Sequence, residues 1–353
     1  MAVHHGLKPA LPLLPLLPGV VIPVIAGKVV LDLHGGGLDL IRAFLRAAVQ
    51  PSSDPILIEA LWRGLQITVF TAVLSWSVSC ILGCILGFFS SQKICTLLIS
   101  SAVPSRWLRW ALAPLRSLHE LIWGLLLLQM CGLNAWVAVA AIALPYTSLM
   151  ARVVSDQIDS RDTPALVALQ SVGAGSLANL LTALWPAVST SLGHHMAHRL
   201  ECALRSALLL GVFGLGGLGT DLKLSLQSLQ FRELWSGLWL LAGVMALLEL
   251  LVHRGRSKLV LPAMVIAPLI AIPWGRSLDL DLSVPSILLP GNPLLAGTVR
   301  ESLTSALASA PWGDLVLSTL GLTLLASAIA IAGPPLGLLL LPGRLSNLIQ
   351  RFI

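Results

Sequence analysis

The chain has 353 residues, 56% of them hydrophobic and 11% charged, with a mean hydropathy of +0.89 and a net charge of +6. Soluble domains carry roughly a quarter charged residues, so this composition leaves too little polar surface for a water-facing body and points to an integral membrane protein. In such a protein the positive charge reflects basic cytoplasmic loops, and no nucleic-acid partner is expected.

A hydrocarbon core of ~30 Å takes about 20 helical residues. Three runs hold no charged residue at all: Gly64 to Ser91, Leu121 to Ala151 and Leu315 to Gly343. In chain order, the predicted spans lie at about 11–30, 60–89, 117–132, 135–155, 203–219, 235–252, 259–274 and 315–341. The first is rich in proline but has no clear small-x-small cleavage site, and it reads as an uncleaved span. Gly132-Leu133-Asn134 separates the third and fourth spans, and Gly216-Gly217 ends the fifth. Lys93, Arg106, Arg109 and Arg116 follow the second span, Arg152, Arg161 and Arg199 the fourth, and Arg254, Arg256 and Lys258 the sixth. Alternation puts these loops on one side, which the basic bias identifies as the cytoplasm. The opposite loops hold Asp32, Asp39, Asp54, Glu59, Asp221 and Glu233, along with Arg42, Arg46 and Lys223.

The cysteines Cys80, Cys84, Cys95, Cys131 and Cys202 form no CxxC pair and read as packing residues. His119-Glu120, at the start of the third span, reads either as a proton relay of a secondary carrier or, more simply, as a helix-start carboxylate near the dipole. Paired carboxylates inside a span, a Walker motif and a Ser-His-Asp set are all missing from the sequence, so no catalytic residue is assigned and no enzyme activity is expected.

Residues 156–200 are too polar to span and too long for a turn, so they predict a cytoplasmic domain. Thr163 caps and Pro164 opens a helix carrying Ala165, Leu166, Leu169 and Val172 at helical spacing; Gly173 ends or turns it. A second amphipathic stretch, Leu177 to Leu184, leads to Pro186. Two readings stand: a hairpin resting on the lipid surface, or a rigid knob that docks a cytoplasmic partner. His194, His195 and His198 lack the intervening Glu of a zinc helix and read as interfacial residues, with no metal expected.

Glu201 and Arg205 sit four residues apart on one helical face, as an ion pair anchoring the fifth span or as part of a translocation path. The following run LRSALLLGVFGLGGLG, residues 204–219, contains G-x-G-x-x-G at Gly214, Gly216 and Gly219. A dinucleotide site would need a preceding strand, a following helix and an acid about 20 residues on, inside a soluble βαβ unit. Here the run continues an apolar span, so Gly211, Gly214, Gly216, Gly217 and Gly219 read as glycines that allow close packing and local unwinding.

Toward the end of the chain, Pro262, Pro268 and Pro273 repeat the spacing of Pro12, Pro18 and Pro23, and LGLT at 320–323 repeats LQIT at 65–68. Residues 257–353 therefore read as the opening of a second copy of the first unit.

Several stretches resemble one family. Val167-Ala168-Leu169, Gly173 and Ala183-Leu184-Trp185-Pro186 match the spacing of the cytoplasmic loop motif of ABC importer permeases, EAA, three residues, Gly, nine residues, I-x-L-P, with Val167 in place of the glutamate. LRSLHELIWGL at 115–125 is similar to LRSIPELVWAL of the phosphonate permeases, and HRLECALRSALLLGVFGLGGLG at 198–219 to YRFEVNVRSATVLGIVGAGGIG. LLELLVHRGR resembles the family's acidic and arginine-bearing ending, with Glu249 at the acidic position.

The resemblance implies an all-α integral membrane protein with the six-span type I ABC importer permease fold, followed by two extra C-terminal spans as a partial repeat. Its divisions would be an N-terminal span and periplasmic loop at 1–57, the permease domain at 58–256 with its coupling loop at 156–200, and the partial repeat at 257–353. It implies a permease subunit, multi-pass in the bacterial inner membrane, that imports phosphonate, phosphite or a related phosphorus oxyanion and needs no cofactor. ATP hydrolysis belongs to a separate cytoplasmic subunit docking at about residues 160–176, on Val167, Ala168, Leu169, Gly173 and Pro186. A periplasmic phosphonate-binding protein delivers the anion, membrane lipid surrounds the spans, and with a truncated repeat a second permease chain completes the pathway. The glycines at 211–219 would then act as a gate beside that path. The alternatives are an ABC importer of methionine or an osmoprotectant, and an ion-coupled secondary carrier.

Overall fold

A computed structural model describes residues 37–161, 164–173, 175–253, 257–278 and 280–282, with short stretches at 305, 308–309, 311–314, 316–323 and 326–327. The predicted span 11–30, with Pro12, Pro18 and Pro23, lies outside the described residues; of the predicted span 315–341, residues 316–323 and 326–327 are helical. All regular elements among the described residues are helices. The chain divides into two compact units, one of residues 43–289 and one of residues 1–42 with 290–353. In the latter, Arg42 pairs with Asp39 at 3.4 Å on an exposed helical turn.

In the unit 43–289, helix α1 (Gly37–Val49) brings Phe44 against Phe231 and Trp235, with ring centroids 5.7 and 5.1 Å away. Helix α2 (Pro55–Ser90) starts where the Asp54 carboxylate accepts from Ile56 N and Pro55 takes the first turn, where a missing N–H costs nothing. Its 36 residues extend about 54 Å. Phe70, Leu74, Trp76 and Cys80 of α2 are buried, and Trp76 Nε1 donates to Met196 O at 2.7 Å.

Short helices α3 (Gln92–Ile99) and α4 (Val103–Ser117) follow, then α5 (Glu120–Cys131) and α6 (Ala135–Ser160). Asn134 caps α6 by accepting from Trp136 N at 2.8 Å. The axes of α2 and α6 approach closely through Gly83 and Gly87: a Cβ built on Gly83 would lie 2.5 Å from Met150 Cβ, and one on Gly87 2.6 Å from Val154 Cβ. The G-x-x-x-G spacing puts both gaps on one face, the device by which membrane helices trade side chain for dispersion contact.

Where the two helices end, Asp159 accepts from Ser91 Oγ at 2.6 Å, Gln92 N at 3.2 Å and Lys93 N at 3.1 Å, and pairs with Arg109. Arg109 Nε also donates to Ser90 O at 2.7 Å.

Beyond α6 come α7 (Pro164–Ser171), a turn of helix α8 (Ser176–Asn179), a π-helical turn at Leu180–Leu184, and α9 (Trp185–Leu210). A second π turn, Gly211–Leu215, precedes α10 (Leu218–Gln227), α11 (Phe231–His253) and α12 (Ser257–Ser277). The main core joins α2, α6 and α9 through Trp76, Ile142, Met150, Leu192, Met196 and Leu204. Helix α12 packs along α2: Ala271 is buried with Phe70 and Leu74, and Gly275 lies against the Phe70 ring.

Four helices among the described residues are long and apolar enough to cross a membrane, and up to six if each of two bent pairs counts as one span. The bent pairs replace two of the straight spans expected from sequence. The third, expected at 117–132, is α4 and α5 meeting at 86°. Leu118 is extended and His119 caps the new helix with its ring accepting from Leu121 N, so the backbone leaves the α region at two successive residues. The fifth, expected at 203–219, begins already at Trp185 and bends by 61° into α10. Its first half carries His194, His195, His198 and Arg199, yet buries Val188, Leu192, Met196 and Ala197 on one face, enough to dock an otherwise polar helix.

Candidate translocation site

The two stretches 115–125 and 198–219, far apart in the chain, meet in the middle of the bundle. Glu120 lies in the first turn of α5, where the helix dipole favours a carboxylate. Its Oε1 accepts from Ser206 Oγ of α9 at 2.6 Å, and that hydroxyl also pairs with Tyr146 OH of α6 at 2.8 Å. His119 Nδ1 stands 3.6 Å from the other Glu120 oxygen. Arg199, one helical turn before Ala203, lies over the Tyr146 ring at 5.4 Å from its centroid. Three spans are thus tied by one hydrogen-bonded chain in an apolar setting, where losing one member strands the others. Tyr146 is the single tyrosine of the sequence and sits in an uncharged run; a lone phenol there needs a partner. An isolated tyrosine in an uncharged span is the sequence signal for this group.

Glu201 and Arg205 form the expected ion pair on α9, with His198 Nδ1 3.5 Å from Glu201 Oε2. The Arg205 side chain is 63% exposed in the single chain, against 26% for Glu201. Measured along α9, Arg205 stands one residue from Ser206, level with Tyr146 in the middle of α6. The pair therefore stands level with the middle of α6, well inside a helix that begins 18 residues before the expected span.

The glycine run makes the bend. Gly214, Gly216 and Gly217 have φ of +94°, +88° and +88°, a region L side chains rarely adopt. Gly211 and Gly219 let the chain fold back on itself: a Cβ on Gly211 would lie 2.7 Å from Gly216 O and 3.0 Å from Gly219 Cα. The turned-back helix α10 is pinned to α2 at its uncapped start, where Leu218 N donates to Thr68 Oγ1 at 2.9 Å and that hydroxyl donates to Gly64 O at 3.0 Å.

The loop motif residues sit elsewhere. Ala168 and Leu169 lie on α7; Val167 does too, though its side chain lies outside the described residues. Gly173 follows with φ of +76° and open space around it. Pro186 is in the first turn of α9. Val172 is 85% exposed, an apolar side chain just ahead of Gly173. Among the described residues, no group of three or more His, Cys, Asp or Glu side chains is placed to hold a metal ion.

No family model matches the sequence. Over 228 residues the chain is 27% identical to the phosphate-import permease protein PhnE of Mycolicibacterium smegmatis, covering 64% of this chain and 42% of that one. It is 28% identical over 141 residues to the phosphite transport system permease protein PtxC of Stutzerimonas stutzeri, covering 40% and 51%. A protein of Escherichia coli K12 named for a cryptic phosphonate transport system permease is 24% identical over 120 residues, covering 34% and 98%. The chain thus spans about half the length of the first two of these relatives. A solved chain of the inward-facing MetNI methionine ABC transporter is 18% identical, with a TM-score of 0.48, covering 59% of this chain and 99% of that one. The curated homologues of this multi-pass chain, helical throughout its described regular elements, are permease proteins of phosphate, phosphite and phosphonate transport, at 24–29% identity.

Proposed function

We propose that the chain is the permease subunit of an ATP-driven importer that moves phosphonate, phosphite or a related phosphorus oxyanion across a bacterial inner membrane. The observation that carries this is the alignment, over as many as 228 residues, with permeases named for phosphorus oxyanions. The geometry supports the same reading. The bend at Gly214–Gly217, hinged on glycines and pinned to α2 by Thr68, supports a gate. The Arg205 guanidinium, paired with Glu201 yet largely exposed and level with the Glu120–Ser206–Tyr146 chain, supports a path or a second permease chain on that face of α9, since a charged pair facing lipid there is costly without water or further polar neighbours. A forked guanidinium suits a phosphorus oxyanion on such a path.

In this reading a cytoplasmic ATP-binding subunit docks on the α7–α8 knob around Ala168, Leu169 and Gly173, and a periplasmic binding protein supplies the anion. Residues 257–353 represent a partial second copy of the permease unit. The test is uptake of radiolabelled methylphosphonate and phosphite by proteoliposomes holding the chain with its ATP-binding subunit and binding protein. Uptake is expected only with ATP; uptake that persists without the ATP-binding subunit overturns the importer reading in favour of an ion-coupled carrier.

A further inference from the structure

Helix α4 carries two features that the translocation site does not use. On one face Arg106, Arg109, Ala113 and Arg116 follow one another at helical spacing, and with Arg152 of α6 they line an open pocket of about 370 Å³. Asp156 and Asp159 engage Arg109 and Arg152, whereas Arg106 and Arg116 make no ion pair among the described residues. Trp110 borders the same pocket and is 80% exposed, with Trp107 at 75%. Exposed indoles beside arginines are the composition of a membrane–water boundary. The level agrees, since Arg109 is fastened to Ser90 O and Asp159, the ends of α2 and α6. The basic bias of the loops makes this the cytoplasmic end, where the leaflet carries anionic lipid.

On the neighbouring face of α4, Leu112 and Leu115 line a second cavity of about 440 Å³ whose wall is almost wholly apolar. It runs inward along α2 from Leu86 to Val78, about 12 Å at 1.5 Å per residue, most of the ~15 Å depth of one leaflet. Ala140 and Ala143 of α6 form its floor, small residues that leave the space open. Basic groups at the span ends, with an apolar slot on the neighbouring face of the same helix, have the layout of a single phospholipid.

We propose that Arg106, Arg109, Arg116 and Arg152 hold the phosphate of an anionic lipid headgroup while an acyl chain of that lipid fills the apolar cavity on the neighbouring face of α4. Free guanidinium donors at Arg106 and Arg116 take the phosphate oxygens in forked pairs, and Trp107 and Trp110 sit in the headgroup layer. The bend at 118–119, which leaves α4 at 86° to α5, is thereby seated on lipid.

The test uses the full-length protein purified in mild detergent, with dioleoyl phosphatidylglycerol, dioleoyl phosphatidylcholine and inorganic phosphate as probes. Native mass spectrometry is expected to show phosphatidylglycerol retained over phosphatidylcholine, and retention lowered about tenfold or more in the double variant Arg106→Gln/Arg116→Gln. Arg106 is exposed and Arg116 half-buried, neither is in an ion pair among the described residues, and an unchanged melting temperature checks that the variant keeps its fold. Ala140→Phe, which fills the cavity and leaves every arginine in place, is expected to lower retention as well. Equal retention of both lipids, or unchanged retention in the arginine variant, overturns the proposal. Inorganic phosphate that binds the delipidated protein and displaces the lipid at millimolar concentration assigns the arginines to a free anion and equally overturns the lipid reading. So does loss of the ATP-binding subunit, instead of lipid, in the arginine variant.

Discussion

Two threonine hydroxyls hold the bend between α9 and α10: Thr220 Oγ1 donates across it to Gly211 O at 2.7 Å, and Thr68 ties α10 to α2. Thr68 Oγ1 accepts from Leu218 N while donating to Gly64 O, and a Cβ on Gly217 would stand 2.6 Å from it. Gly217→Ala therefore meets two penalties: a left-handed backbone and a crowded hydroxyl. The cost is on the order of 1–3 kcal/mol for the backbone strain alone. The expected outcome is a protein that inserts but transports at least tenfold more slowly, with a lower melting temperature. Thr68→Ser keeps the hydrogen bond and is expected to transport nearly as well as the parent chain. Equal, near-normal uptake in Gly217→Ala would show that the bend tolerates a side chain. The sequence announced the glycines, because an unusual density of them at a span end has few explanations. It gave no sign of Thr68, which is 150 residues away from Leu218. Glu120 illustrates the same limit: a helix-start carboxylate is visible from its neighbours, but its bond to Ser206 across 86 residues depends on how three helices pack.

Among elements, the predicted spans at 60–89, 135–155, 235–252 and 259–274 correspond to α2, α6, α11 and α12, with ends shifted by at most five residues. Asp54-Pro55 and Asn134 start α2 and α6 within a few residues of expectation, since a cap is local chemistry. The elements that moved were those governed by tertiary contact. Polar residues at 194–199 suggested a loop, whereas burial of Leu192 and Met196 against Trp76 and Met150 keeps them helical. Nothing in APLRSLHE declares a right-angle turn; Pro114 stays inside α4, and the break falls four residues later, at Leu118. In the loop after α6, Pro164 opens α7 and Gly173 follows its end. A β-branched residue at Gly173 would be held at a φ of +76° that it strongly disfavours. Gly173→Val is expected to leave insertion and ATP hydrolysis by the partner subunit in place while cutting uptake per ATP about tenfold. Tight coupling in that variant would remove the reason for putting the docking surface there.

For the whole molecule, the repeated proline spacing divides the sequence after residue 256, whereas the packing of α12 on α2 places α12 in the same compact unit as the α2–α6–α9 core. Both hold if the first helix of the second copy has been recruited by the first. A chain ended at residue 256 would uncover Phe70, Leu74 and Val139, and a chain ended at 289 would keep them covered. The shorter protein is expected to melt several degrees lower and to give less folded material, and the longer one to behave like the full chain in both respects. Equal melting of all three would make α12 a passenger on the core.

The knot at Asp159 has a mechanical consequence. One carboxylate, two residues before Arg161 and just ahead of the knob, fastens the far end of α6 to the end of α2, the start of α3 and, through Arg109, to α4. With that rivet closed, α6 cannot slide along its own axis without dragging the other three. Force applied at the knob is therefore delivered to four helices as to one stiff plate. The compliant joints of the molecule are left at the two bends, 118–119 and 214–217.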